Sequence, residues 1–118
     1  MRYLQASIGR NVGYSEHPMS DRRWEVFKSA MAATMEEYTG CFPTLAEGTD
    51  NKGEHFCHLS IWADHLPNPD NLIRTIRKIG ATYGQAEIAL VIGEAELLPS
   101  LTDREAARRE RGRHALLA

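Results

Sequence analysis

No run of apolar residues in this chain is long enough to cross a bilayer. The longest, such as Ile88–Ile92 and Leu116–Ala118, fall far short of the about 20 residues that a helical span requires. Cysteine is scarce, with two residues, so a disulfide framework is excluded as the source of stability. Low-complexity segments and internal repeats are missing, which removes solenoids and disordered linkers from consideration. The start, Met1-Arg2-Tyr3-Leu4, enters a strand pattern directly, so a signal peptide is not expected and the expected location is the cytoplasm.

A large basic excess is missing too. Residues 1–98 carry nine Lys/Arg against 13 Asp/Glu, and residues 99–118 carry five against three. A mildly acidic body argues against nucleic acid as a partner, because that role needs a basic stripe. What remains is 118 residues with 42% hydrophobic and 25% charged content, the composition of one globular domain. The expected division is a domain over 1–98 followed by a charged helix or tail over 99–118.

Periodicity supplies the elements. Leu4, Ala6 and Ile8 alternate with Tyr3, Gln5 and Ser7, which predicts a strand over Tyr3–Gly9. Ser20 and Asp21 suit a helix start, and Trp24, Phe27, Met31, Met35 and Tyr38 recur at helical spacing before Gly40. Strands follow over Phe42–Glu47 and His55–Trp62, with Gly48–Gly53 as their loop. Asn68 and Pro69 open a second helix with the stripe Leu72, Ile73, Ile76, Ile79 and Tyr83, and Gly84 stops it. A last strand covers Glu87–Gly93.

This order, βαββαβ, predicts an α+β fold of ferredoxin-like type: a four-stranded antiparallel sheet with two helices on one face, strands one and three central. Thr102-Asp103-Arg104-Glu105 matches a capping box and adds a short C-terminal helix.

Parity then predicts what the bare sheet face carries. Tyr3, Gln5 and Ser7 point away from the helices, as do Phe56, His58, Ser60 and Trp62. Ala89 and Val91 join them from strand four, and Pro43 and Leu45 from strand two. Several aromatic and aliphatic side chains around a polar centre exceed the apolar patch that a monomer normally leaves in water. The expected cover is a second copy, sheet against sheet, as in the dimeric α+β barrels. Cover by the C-terminal segment is the other arrangement considered, and RNA stacking on Tyr3 and Phe56 a third.

Chemical motifs are few. His55-Phe56-Cys57-His58 offers metal-ligand types, but alternation puts His58 opposite to His55 and Cys57, short of the four ligands zinc requires. With Gly48–Gly53 as the loop, Thr44 lies opposite Cys57, which keeps Cys41 out of bridging range. His58-Leu59-Ser60 matches one half of a two-histidine phosphoesterase pattern, and no second copy exists in the chain. Asp64-His65 could orient an imidazole but has no nucleophile nearby. Arg10, in Ile8-Gly9-Arg10-Asn11-Val12-Gly13, could hold an anion, although the segment lacks the lysine and threonine of a phosphate loop. No catalytic residue, metal or cofactor is assigned. The ligand or interface candidates are Tyr3, Gln5, Ser7, Arg10, Phe56, His58, Ser60 and Trp62.

That glycine-arginine segment, followed by Met19-Ser20 before Trp24 and Phe27 and by Tyr83-Gly84-Gln85 before Ile88-Ala89-Leu90, resembles a group of small uncharacterised proteins of actinobacterial phages and prophages. The resemblance covers roughly residues 3–98 and carries no activity or residue role. It implies a context in which small proteins bind a host factor or intercept a nucleotide signal. The leading expectation is therefore a non-enzymatic binding protein, phage-encoded and homodimeric, acting on a host protein. The alternative is a nucleotide-binding sponge or small enzyme with its pocket between two sheet faces, near His58, Trp62 and Arg10.

Overall fold

The computed structural model describes residues 1–94, 96, 98–100, 108 and 111. Its elements in chain order are β1 (Arg2–Gly9), α1 (Asp21–Thr39), β2 (Thr44–Thr49), β3 (His55–Ala63), α2 (Pro69–Thr82) and β4 (Ala89–Glu94). The strands form one antiparallel sheet in the order β2-β3-β1-β4, an α+β arrangement consistent with the ferredoxin-like type. The capping box at 102–105, and with it the expected C-terminal helix, falls outside the described residues.

The core forms because one parity of the sheet meets the apolar stripes of both helices. Leu4, Ala6 and Ile8 from β1 and Cys57, Leu59 and Ile61 from β3 are buried with Phe27, Met31 and Met35 of α1 and Leu72 and Ile76 of α2. Phe27 stacks on Tyr83 at 4.8 Å between centroids, which fastens α1 to the end of α2. Ser20 caps α1, its hydroxyl accepting the Arg23 N–H at 3.2 Å, and Gly40 ends it in the left-handed conformation at φ 77°. Asn68 does not act as a side-chain cap for α2. It sits at φ 53° without a side-chain cap bond, and its carbonyl accepts the Asn71 and Leu72 N–H groups.

Strand two corrects the sequence reading. The Asp50 carboxylate accepts the N–H groups of Lys52 and Glu54 at 2.8 and 3.0 Å, and the Asp50 N–H donates to the Glu54 carbonyl. These bonds close the hairpin over five residues, so Gly48 and Thr49 stay in the strand. Glu47, rather than Thr44, lies opposite Cys57, and Thr44 pairs with Ser60. The register moves by three, an odd number, so the whole strand turns over. Leu45 and Pro43 therefore belong to the helix side, where Pro43 is buried; Thr44, Ala46 and Gly48 take their places on the open face.

Candidate functional site

The open face is built from the residues that alternate with the core. Gln5 pairs with Ser60 and with Val91, Ser7 with His58 and with Ala89, and Tyr3 with Trp62 and with Gly93. Gly48 lies opposite Phe56, whose ring occupies the space that a Cβ at 48 would need. The strands thus bring seven of the eight candidates onto one surface: Tyr3, Gln5, Ser7, Phe56, His58, Ser60 and Trp62. With Val91 and Ala89 from β4 and Thr44, Ala46 and Gly48 from β2, this face holds no Asp, Glu, Lys or Arg.

Its polar centre is a continuous hydrogen-bond network that ends at His58. The Tyr3 hydroxyl donates to Gln5 Oε1 at 2.5 Å and lies 3.2 Å from Ser60 Oγ. Ser60 Oγ also donates to Gln5 Oε1 at 3.2 Å. The Gln5 amide donates to Ser7 Oγ at 3.2 Å, and Ser7 Oγ lies 2.7 Å from His58 Nδ1. With Gln5 donating to Ser7, the serine hydrogen is free to bond Nδ1, which places the neutral ring's proton on Nε2. Among the described residues no buried side-chain polar atom lacks a partner. Around this centre Trp62 meets Tyr3 edge-on at 5.2 Å, and Phe56 packs at 4.7 Å from the His58 ring. Trp62 and Val91 keep 54% and 52% of their surface in water.

A serine against an imidazole is the start of a nucleophile–base pair. The rest of that machinery is missing among the described residues. No carboxylate bonds to His58, and β1 is paired on both sides, which commits the N–H groups that could stabilise an oxyanion.

Arg10 lies apart from the other seven. It continues the helix-side parity of β1, its side chain is 15% exposed, and its guanidinium is occupied. It donates to the Met19 carbonyl at 2.8 Å and to Asp21 at 2.5 Å, and lies 3.2 Å from His55 Nδ1. These contacts pin the hairpin of residues 10–19 to the start of α1 and occupy the Arg10 guanidinium. His55 and Lys52 join Arg10, Tyr14 and Glu54 around a cleft of about 750 Å³. There Glu54 accepts the Asn11 N–H at 2.9 Å, and the exposed Lys52 ammonium has no ion-pair partner among the described residues.

The two cysteines are free, Cys41 exposed and Cys57 buried. Burial pushes the Cys57 thiol up to about 11, with Glu47 adding to the effect. Among the described residues no three His, Cys, Asp or Glu side chains gather where they could hold a metal ion, and no helix is long and apolar enough to cross a membrane.

Sequence reasoning missed Thr44, Ala46 and Gly48, because it took Gly48 for the loop. The signal was present at Asp50, whose side chain can organise a tight turn with Gly53 at positive φ. A scan against protein-family models and a search of curated proteins both returned no match.

Proposed function

We propose that this chain is a small non-enzymatic binding protein that pairs with a second copy through its open sheet face and acts on a host factor in the cytoplasm. The observation that carries this reading is the uncharged, internally hydrogen-bonded face. A polar network that bonds mostly within itself can be buried at modest cost, since few bonds to water besides that of the His58 Nε2–H remain to be lost. The same network has little left to offer a small ligand. An anionic ligand such as a nucleotide or RNA needs cations beside its phosphates, and the face has none. The exposed tryptophan and valine supply the apolar area that drives association. The resemblance to phage and prophage proteins supports a phage origin and a host protein as target.

Sedimentation equilibrium tests the pairing. The wild-type chain is expected at twice its 13.3 kDa mass, Trp62→Arg at the monomer mass, and His58→Ala as a dimer still. Trp62 is half in water, so the arginine is tolerated by the fold. A Trp62→Arg protein that remains a dimer contradicts the sheet-face interface.

A further inference from the structure

His58 is the one histidine among the described residues that is not exposed; His17, His55 and His65 stand in water. Its hydrogen bonds run in one direction. The Gln5 amide donates to Ser7 Oγ, and the Ser7 hydroxyl donates in turn to His58 Nδ1 at 2.7 Å, an order that needs a neutral imidazole. A proton added at Nδ1 would set two hydrogens between that nitrogen and Ser7 Oγ. The hydroxyl must then turn away, so protonation creates one cation and one displaced donor on each copy.

The surroundings offer that cation no counter-charge. From β1, Ser7 faces the ring, with Gln5 and Gly9 on either side of it; from β2, Ala46 lies opposite, between Thr44 and Gly48. Along β3 the neighbours are Ser60 and Phe56, whose ring lies 4.7 Å away. The face's other titratable group among the described residues, Tyr3, gives its hydroxyl to Gln5 Oε1. Two carboxylates stand in this half of the sheet. Glu47 belongs to the helix side, where it holds Lys28, and Glu54 lies over Gly9, beyond Phe56, and accepts the Asn11 N–H. Neither is within ion-pairing distance of His58. A second copy presents the same strand residues, so a symmetric sheet-to-sheet interface adds a second imidazole and no strand carboxylate.

We propose that protonation of His58 opens the sheet-face dimer, so that the chain pairs at neutral pH and separates as pH falls toward 5. This regulation rests on the pairing reading above. Imidazole is the side chain whose charge changes between about pH 5 and 8. In the separated chain, water solvates both the new cation and the displaced hydroxyl. In the pair both are shut into an uncharged interface, where an unpaired charge is strongly unfavourable. The pair therefore binds fewer protons than two free chains do. Its stability is complete above the histidine window and is lost as pH falls through it. Two imidazoles that must both be neutral give a slope of up to about two decades of affinity per pH unit there.

Sedimentation of the full chain at pH 7.5 and 5.5, at equal ionic strength, tests the switch. The dissociation constant should rise about hundredfold at pH 5.5 and return when the sample is dialysed back to pH 7.5. Far-ultraviolet circular dichroism should be the same at both values, because the separated chain stays folded. His58→Gln leaves Ser7 a polar neighbour that cannot take the charge, and it should pair at both values with constants within about threefold. A wild-type pair that is equally tight at pH 5.5, or tighter, as a carboxylate of the second copy against His58 would make it, overturns the proposal. So do a His58→Gln protein that weakens as the wild type does, and a chain that unfolds at pH 5.5. A chain that is monomeric at pH 7.5 sinks the pairing and the switch together, whereas a pair indifferent to pH sinks the switch alone.

Discussion

Lys28 is the buried cation among the described residues, and its surroundings predict an unequal response to mutation. Its side chain is 6% exposed, while its partners Glu25 and Glu47 are 70% and 50% exposed. The ammonium donates to Glu25 at 2.7 Å and to Glu47 at 2.5 Å, and lies 5.3 Å from the Trp24 ring centroid. Lys28→Met removes the charge from the apolar side and leaves two carboxylates that water can solvate. Its cost should stay within about 1 kcal/mol. Removing both acids instead, Glu25→Ala with Glu47→Ala, strands the ammonium against Trp24. That variant should lose about 3 kcal/mol, the low end for a broken buried pair because the lysine stem can reach toward water. Adding Lys28→Met to the double variant should recover most of the loss. Urea unfolding of the four proteins measures the cycle. A Lys28→Met cost as large as that of the double acid removal refutes the reasoning.

Alkaline pH should weaken the fold from two sides. Cys57 ionises near 9 when unfolded and near 11 when buried; its contribution is whole below pH 9 and is lost as pH rises to about 11, a loss of roughly 2–3 kcal/mol. Cys57→Ala should flatten the unfolding free energy over that window, and an unchanged slope contradicts the assignment. Burial lowers the Lys28 pKa, but Glu25 and Glu47 outweigh it and hold the group above 10.5, so its contribution is complete below that pH and fades above it. In thiol labelling at pH 8, Cys41 should react at once and Cys57 only on unfolding. Gly84→Ala should cost about 1–2 kcal/mol, since φ is +73° there and the new methyl meets Val12. Because Gly84 accepts the Gly13 N–H, that variant should also show faster proteolysis within residues 10–19.

Much of the fold was legible because burial enforces period. The alternation at Leu4, Ala6 and Ile8 and the stripe from Trp24 to Met35 name their own inward faces, and both central strands were assigned correctly for that reason. β2 was not legible in the same way. All its residues but Gly48 are exposed, so no buried side chain fixes its register. The Asp50 turn fixes it instead, and a turn's length is harder to read than a core. The site divides along the same line. The candidates on β1 and β3 came together because their parity was secure. Arg10 did not join them, because pattern alone could not show that Asp21, Met19 and His55 would claim its guanidinium.

Native mass spectrometry of the purified chain tests the central claim most directly, that the uncharged sheet face is closed by a second copy and holds no ligand. The account predicts twice the 13.3 kDa chain mass with nothing added. A monomer at micromolar concentration, or a dimer carrying a nucleotide-sized mass, contradicts it.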